Sequence, residues 1–231
     1  MALRYSTFAS LNMGSHNLFR RGDWLGCVIA LKSLGYEGYP DKVSTRLFLH
    51  EVQVWSHLKY PHITEFFETC HVRKRCIVCT YVSNGTLSQF LELEENKHLV
   101  WEKFYEASSG LRYLHSRNIV HNDMKCDNIL VGTDQTVKLV DAGLSSILGA
   151  AEVKVAPDCM GAANWKAPEY LNGTRLSFAY DIYSFAMCVL EAETGDIPWA
   201  RYTPVGLVAH HQERYLLPKS MMDEQWQLTE S

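Results

Sequence analysis

The chain has 231 residues, of which 47% are hydrophobic and 21% charged. That is enough to bury one sizeable core, or one large domain built as two lobes, and it is too apolar for a disordered segment. A formal net charge of -4 spread along the chain argues against a nucleic-acid binder, whose phosphate contacts need a clustered basic face.

No apolar run reaches the roughly 18 residues of a membrane span. The opening "MALRYSTFASLNMGSHNLF" lacks a basic start followed by a continuous apolar stretch. The expectation is therefore an intracellular, cytoplasmic protein without a membrane segment. Seven cysteines, an odd number without regular spacing, fit a reducing compartment better than a disulfide framework. In "CHVRKRCIVC", Cys70, His71, Cys76 and Cys79 invite a zinc reading. Their spacing is irregular and the segment alternates like a hairpin strand, so buried thiols are expected instead.

Along the first third, "WLGCVIALKSL" has a dense strand core at Cys27 to Leu31, and "CIVCTYV" is a second β-branched and aromatic strand. Between them Phe48, Val52 and Trp55 recur at steps of four and three, the stripe of an amphipathic helix. After the turn-like "SNGTL" at Ser83 to Leu87 the character becomes helical. Phe104, Ala107, Leu111 and Leu114 place one face of a long helix inward. "NILVGTDQTVKLVDAG" reads as two short strands around Gly132 to Gln135, an antiparallel return that sets Asn128 and Asp141 side by side. "FAYDIYSFAMCVLEAETG" is apolar nearly all round and is expected to be a helix buried in a large lobe, ending near Gly195. The tail past Trp199 carries Pro204 and Pro218 with weak periodicity, and there is no internal repeat.

Between the long helix and the hairpin lies "HNDMKCDNIL", His121 to Leu130, with two acids, a lysine and an asparagine just ahead of an apolar strand. It resembles the catalytic loop of eukaryotic protein kinases, His-Arg-Asp-Leu-Lys-x-x-Asn. It is followed by "DAG" where the family has Asp-Phe-Gly, and by "APE" at Ala167 to Glu169. "IALK" resembles the family's lysine strand, with Lys32 as the lysine, and "HEVQVWSHLKYPHI" the helix after it, with Glu51 as its acid. The likeness runs from about Trp24 to about Leu228, and the order of the motifs makes it specific.

The resemblance implies a two-lobed α+β fold, with a β-rich small lobe over residues 1–82 and a helical large lobe over 83–231. It implies transfer of the γ-phosphate of ATP, carried with Mg2+, to serine or threonine hydroxyls of a protein substrate. Asp123 would orient or accept the proton of the attacking hydroxyl, and Lys125 would neutralise charge on the moving phosphoryl group. Asn128 and Asp141 would be the metal ligands, hard oxygen donors suited to magnesium. Lys32, held by Glu51, would bind the α- and β-phosphates. Cys79 would line the back of the adenine pocket, the backbone of Thr80 to Val82 would bond the base, and Ala30 and Leu130 would sandwich the ring. Taken singly each residue has a plainer reading: a turn cap for Asp123, an Asx-turn for Asn128, a surface ion pair for Lys32 with Glu51, core packing for the apolar positions.

Several positions depart from the family pattern. Upstream of Lys32, "MGSHNLFRRGDWLG" has Gly14 and Gly22 poorly placed for the family's Gly-x-Gly-x-x-Gly loop, so the first strand and its loop read as shortened or missing. Asn122 replaces the arginine of His-Arg-Asp. Ala142 replaces the phenylalanine of Asp-Phe-Gly, and Trp55 is expected to fill the space. Ala162 stands where a threonine supports the catalytic acid and lysine. The chain stops at "WQLTES", before the helices whose arginine pairs with Glu169, an expected source of lower stability. A pseudokinase acting as a binding module is the alternative these departures favour. A small-molecule phosphotransferase is a third reading, disfavoured by "APE" and by Asp181, which resemble the apparatus for protein substrates. "WLG" and "GDIPW" resemble the tyrosine-kinase-like branch.

From Asp141 to Glu169 the only hydroxyl side chains are Ser145 and Ser146, and Asn122 could not receive a phosphate as an arginine does. Changing Ser145→Ala together with Ser146→Ala is therefore expected to leave catalytic turnover intact in a steady-state assay. A loss of activity would show that phosphorylation in this segment is the switch.

Overall fold

The computed structural model describes residues 10–12, 17–34, 41–70, 75–140, 146–147, 160–171 and 177–200. Five antiparallel strands form the first sheet: β1 (Ser10–Asn12), β2 (Asn17–Trp24), β3 (Cys27–Leu34), β4 (Phe66–Cys70) and β5 (Cys76–Thr80), in the order β1-β2-β3-β5-β4. Side chains alternate across a strand. In β3 this sends Ala30 and Lys32 to one face, while Ile29 and Leu31 pack on the other against Cys76 and Val78, with Trp24 alongside. Helix α1 (Asp41–Trp55) crosses between β3 and β4, and buries Leu47, Phe48, Glu51, Val54 and Trp55 at steps of three and four. The pattern that makes it amphipathic thus places Glu51 on the inward stripe.

A β1 strand is present, paired with β2 through Ser10↔Arg20 and Asn12↔Leu18. Of the two expectations for the first strand, shortened or missing, the three-residue β1 fits the first, and its loop lies outside the described residues. Only three residues long, β1 gives too short an apolar alternation to register in the sequence. Gly14 falls in the connection 13–16, outside the described residues. Cys70 and Cys76 are cross-strand partners of the β4–β5 hairpin, and Cys76 and Cys79 are buried without a disulfide. His71 lies outside the described residues.

Helices dominate the rest. Short helix α2 (Leu87–Glu92) opens on a capping box between Thr86 and Gln89, with both side chains bonded back to the backbone. Helix α3 (Val100–Ser116) buries Phe104, Ala107, Gly110, Leu111 and Leu114. Gly110 is needed for close approach, since a Cβ there would sit 2.7 Å from the carbonyl oxygen of His62. Strand β6 (Ile119–Val120) pairs with β9 (Ser146–Ile147), and β7 (Ile129–Val131) with β8 (Val137–Leu139), which is the hairpin expected around Gly132 to Gln135. Lys103, almost wholly buried in α3, donates to the Gln135 carbonyl at 2.7 Å and pins that hairpin's turn to the helix.

After α4 (Pro168–Leu171), helix α5 (Phe178–Thr194) ends where Gly195 adopts φ +71, a left-handed C-cap. Helix α5 is not buried all round: Ile182 is 57% exposed, and Ala179 and Ala186 also face outward. Apolar content alone overstated its burial, because exposed apolar residues are common on protein surfaces.

One cluster of buried side chains runs through both halves, from Phe19, Ala30, Phe48, Trp55 and Cys79 to Leu111, Met124, Leu130 and Cys188. Trp55 is completely enclosed in it and donates from Nε1 to the Thr64 carbonyl at 2.6 Å. Ala142, whose space Trp55 was expected to fill, lies outside the described residues. No helix among the described residues is long and apolar enough to cross a membrane.

Candidate active site

The loop from His121 to Asn128 leaves β6 and enters β7, so its backbone must turn sharply between two strands. Asn122 takes φ +62, a conformation that asparagine tolerates far better than branched or bulky residues. Asp181, from the first turn of α5 and 1% exposed, fixes the entry to the loop. Its Oδ2 accepts from the His121 amide and its Oδ1 from the Asn122 amide, each at 2.8 Å. His115 of α3 bonds Oδ2 through Nε2 at 2.8 Å. The His121 ring completes the frame. The Asp123 N–H donates to its Nδ1 at 3.3 Å, which leaves Nε2 as the protonated nitrogen facing the Val140 carbonyl at 3.0 Å.

Asp123, Lys125 and Asn128, all buried, converge in this loop. The Asn128 amide nitrogen donates to the Asp123 carbonyl at 2.7 Å and to its Oδ2 at 2.9 Å. The Lys125 ammonium stands 3.9 Å from the same oxygen. A 3-10 turn over Cys126–Asn128 closes with Asn128 N–H on the Lys125 carbonyl at 2.9 Å. With its nitrogen committed to Asp123, Asn128 has its amide oxygen left to offer a cation, a hard donor of the kind magnesium takes. Val140 donates to the Asn128 carbonyl at 3.0 Å across the hairpin. Asp141, the next residue and the other expected ligand, lies outside the described residues.

The second group sits between β3 and α1. Lys32 and Glu51 form an ion pair at 2.5 Å with neither side chain exposed to solvent. The ammonium lies 5.7 Å from the Trp55 ring and 6.0 Å from that of Phe19. Desolvating both charges offsets much of their attraction, so the pair fixes geometry more than it adds stability. Ala30 is the cross-strand partner of Cys79, and Ala30, Cys79, Val82 and Leu130 are all buried. Thr86 bridges to Leu130, which brings the segment after β5 against β7. The Thr80 N–H is already bonded to the Glu65 carbonyl at 3.0 Å.

Two groups escaped the sequence reading. Lys166, 6% exposed, donates to the Asn122 carbonyl and stands 3.9 Å from Asp123 Oδ1. The available signal was a lysine set in an apolar "WKAP". Glu191 of α5 accepts from Trp165 Nε1 at 2.8 Å and from the Cys126 amide at 3.3 Å, and burial raises its carboxyl above the usual range. The Cys126 thiol donates to the Cys188 carbonyl at 3.3 Å. That bond first, and burial next, push its pKa well up, and burial raises Cys188 as well. The ligand atoms of Cys126, Cys188 and Glu191 lie within 4.8 Å of one another.

The sequence of residues 5–229 matches the family model described as protein tyrosine and serine/threonine kinase. The chain belongs to the protein kinase family. Among relatives of this kinase domain, serine/threonine/tyrosine-protein kinase HT1 of Arabidopsis thaliana is 30% identical over 90% of the chain and 55% of its own length. Serine/threonine-protein kinase CTR1 of the same plant is 32% identical over 86% of the chain and 25% of its length. Mitogen-activated protein kinase kinase kinase 1b of Physcomitrium patens is 32% identical over 86% of the chain and 27% of its length. The kinase domain thus spans about half or less of each of these relatives. Its sheet with one crossing helix, followed by a mainly helical half, is the two-lobed α+β kinase fold.

Proposed function

We propose that this chain is a serine/threonine protein kinase domain that moves the γ-phosphate of ATP to hydroxyl groups of a protein substrate. The reading rests above all on the Asp123 carboxylate, held by the Asn128 amide beside the Lys125 ammonium at the mouth of a buried core. Phosphoryl transfer asks little covalent chemistry of the protein, and most of the rate comes from positioning and charge stabilisation.

The lobes divide near residue 82, and the nucleotide lies between them. Ala30 and Leu130 flank the adenine and Cys79 closes the back of its pocket. The Thr80 N–H is committed to Glu65, so the base is met by the backbone at Val82. Lys32, oriented by Glu51, holds the α- and β-phosphates. Asn128 and Asp141 hold Mg2+, which when bound neutralises charge on the phosphates. Asp123 aligns the substrate hydroxyl with the γ-phosphorus and takes up its proton as the bond to phosphorus forms and the bond from phosphorus to the bridging oxygen breaks, leaving ADP. Lys125 offsets charge on the phosphoryl oxygens. Lysine at that position resembles the serine/threonine rather than the tyrosine type.

Turnover on a generic basic protein, followed by identification of the phosphorylated side chain, tests this. Asp123→Asn is expected to lower kcat by about 10²–10⁴-fold with ATP affinity retained. Phosphate on serine and threonine supports the reading. Phosphate on tyrosine alone overturns its specificity. ATP binding without any turnover in the parent protein favours the pseudokinase reading, to which Asn122, Ala142 and Ala162 lend themselves.

A further inference from the structure

Lysine is rarely buried, and where it is, its ammonium needs nearby acceptors to offset lost hydration. Lys166 is such a residue. Its neighbours Ala163, Trp165 and Ala167 are buried and apolar, so solubility does not account for the charge. Among the described residues, the ammonium meets the Asn122 carbonyl, to which it donates, Asp123 Oδ1 at 3.9 Å, and the face of Tyr170, with the ring centre 5.0 Å away. Tyr170 joins the same network from the other side, since the Asn122 amide Nδ2 donates to its hydroxyl at 3.3 Å.

We propose that Lys166 is a positioning residue for the catalytic loop: it grips the Asn122 carbonyl and faces one oxygen of Asp123 while Lys125 and Asn128 hold the other. The inference rests on the kinase reading for what Asp123 does. It adds that the segment leading into α4 supplies a lysine side chain to that site.

The geometry favours this over a packing role for two reasons. Lys125 and Asn128 engage Oδ2 alone, so without Lys166 the Oδ1 side of the carboxylate would have no cation among the described residues. Asn122 also holds a left-handed backbone at φ +62, and its N–H, carbonyl and side-chain amide are each tied, to Asp181, Lys166 and Tyr170 respectively. Lys166 supplies the one tie that also carries charge to the neighbouring carboxylate. An ammonium there keeps Asp123 aimed as a hydrogen-bond acceptor for the incoming hydroxyl, and it favours late rather than early proton uptake, in keeping with a loose transition state.

Lys166→Met and Lys166→Arg are compared with the parent chain in steady-state kinetics and in amide hydrogen exchange without nucleotide. Methionine keeps length and apolar contact and removes only the charge and its donors. The expected result is a kcat about tenfold lower for the methionine variant with KM for ATP nearly unchanged, largely recovered by arginine, and faster exchange at His121 to Met124. Equal kcat in all three, or a loss in the methionine variant that arginine does not relieve, overturns the role. If the parent chain shows no turnover, the kinase reading fails. The exchange comparison still decides the inference: protection lost at His121 to Met124 in the methionine variant supports the grip, and unchanged protection refutes it.

Discussion

Replacing Asp181 by alanine is expected to destabilise the fold by about 3–5 kcal/mol and to abolish turnover. The carboxylate is buried and accepts from two backbone amides and a histidine, all at 2.8 Å. Alanine would take from the His121 and Asn122 N–H groups the carboxylate they both donate to, at a position only 1% exposed. Each unsatisfied buried donor costs about 1–3 kcal/mol. The damage is also local to function, because the two amides are the entry to the loop that carries Asp123. Urea unfolding monitored by tryptophan fluorescence measures the loss. A change below about 1 kcal/mol would mean that the loop is held by other contacts.

The second large effect concerns Lys32 and Glu51. Glu51→Ala leaves a fully buried ammonium without its carboxylate, at an expected cost of about 3–5 kcal/mol. The paired change Lys32→Met with Glu51→Leu removes both charges and fills the space with apolar atoms. It is expected to recover most of that stability, since two desolvated charges give way to ordinary packing. It should not recover nucleotide binding. A double variant as unstable as the single one would show that the pair serves the fold, and one that still binds ATP would remove Lys32 from the phosphate site. Thermal unfolding with and without nucleotide separates these outcomes.

Much of this arrangement was legible in the residues. The hairpin was readable because Gly132 to Gln135 separates two short β-branched runs, and it is formed by Ile129–Val131 and Val137–Leu139. The stripe of Phe48, Val52 and Trp55 pointed to α1, whereas Glu51 was picked out by family resemblance alone, and its burial on the inward side of α1 is a finding of the structure. The loop from His121 to Asn128, proposed here as the catalytic loop, was recognisable by its resemblance to the family motif and the motif's spacing, not by periodicity, since a loop has none.

What escaped detection was long-range. Lys166 meets Asn122 across 44 residues, and no local pattern announces that a lysine between tryptophan and alanine folds back onto a loop. Strand β1 spans too few residues to show alternation. The exposed side of α5 was hidden by composition, because Ile182 reads as core by chemistry and becomes surface only through packing. Asn122 illustrates the reverse case. Read as a lost arginine, it becomes intelligible as a residue suited to φ +62 with both backbone polar groups and its amide engaged.

If the kinase reading is right, Lys32 with Glu51 and the Asp123 loop serve one nucleotide. Thermal unfolding of the parent chain with ATP, in the presence and absence of Mg2+, asks this most directly. The predicted result is a rise in Tm that requires the metal, grows with ATP concentration and vanishes in the Lys32→Met, Glu51→Leu variant. No rise with Mg2+ and ATP together, or the same rise in that variant, would contradict it.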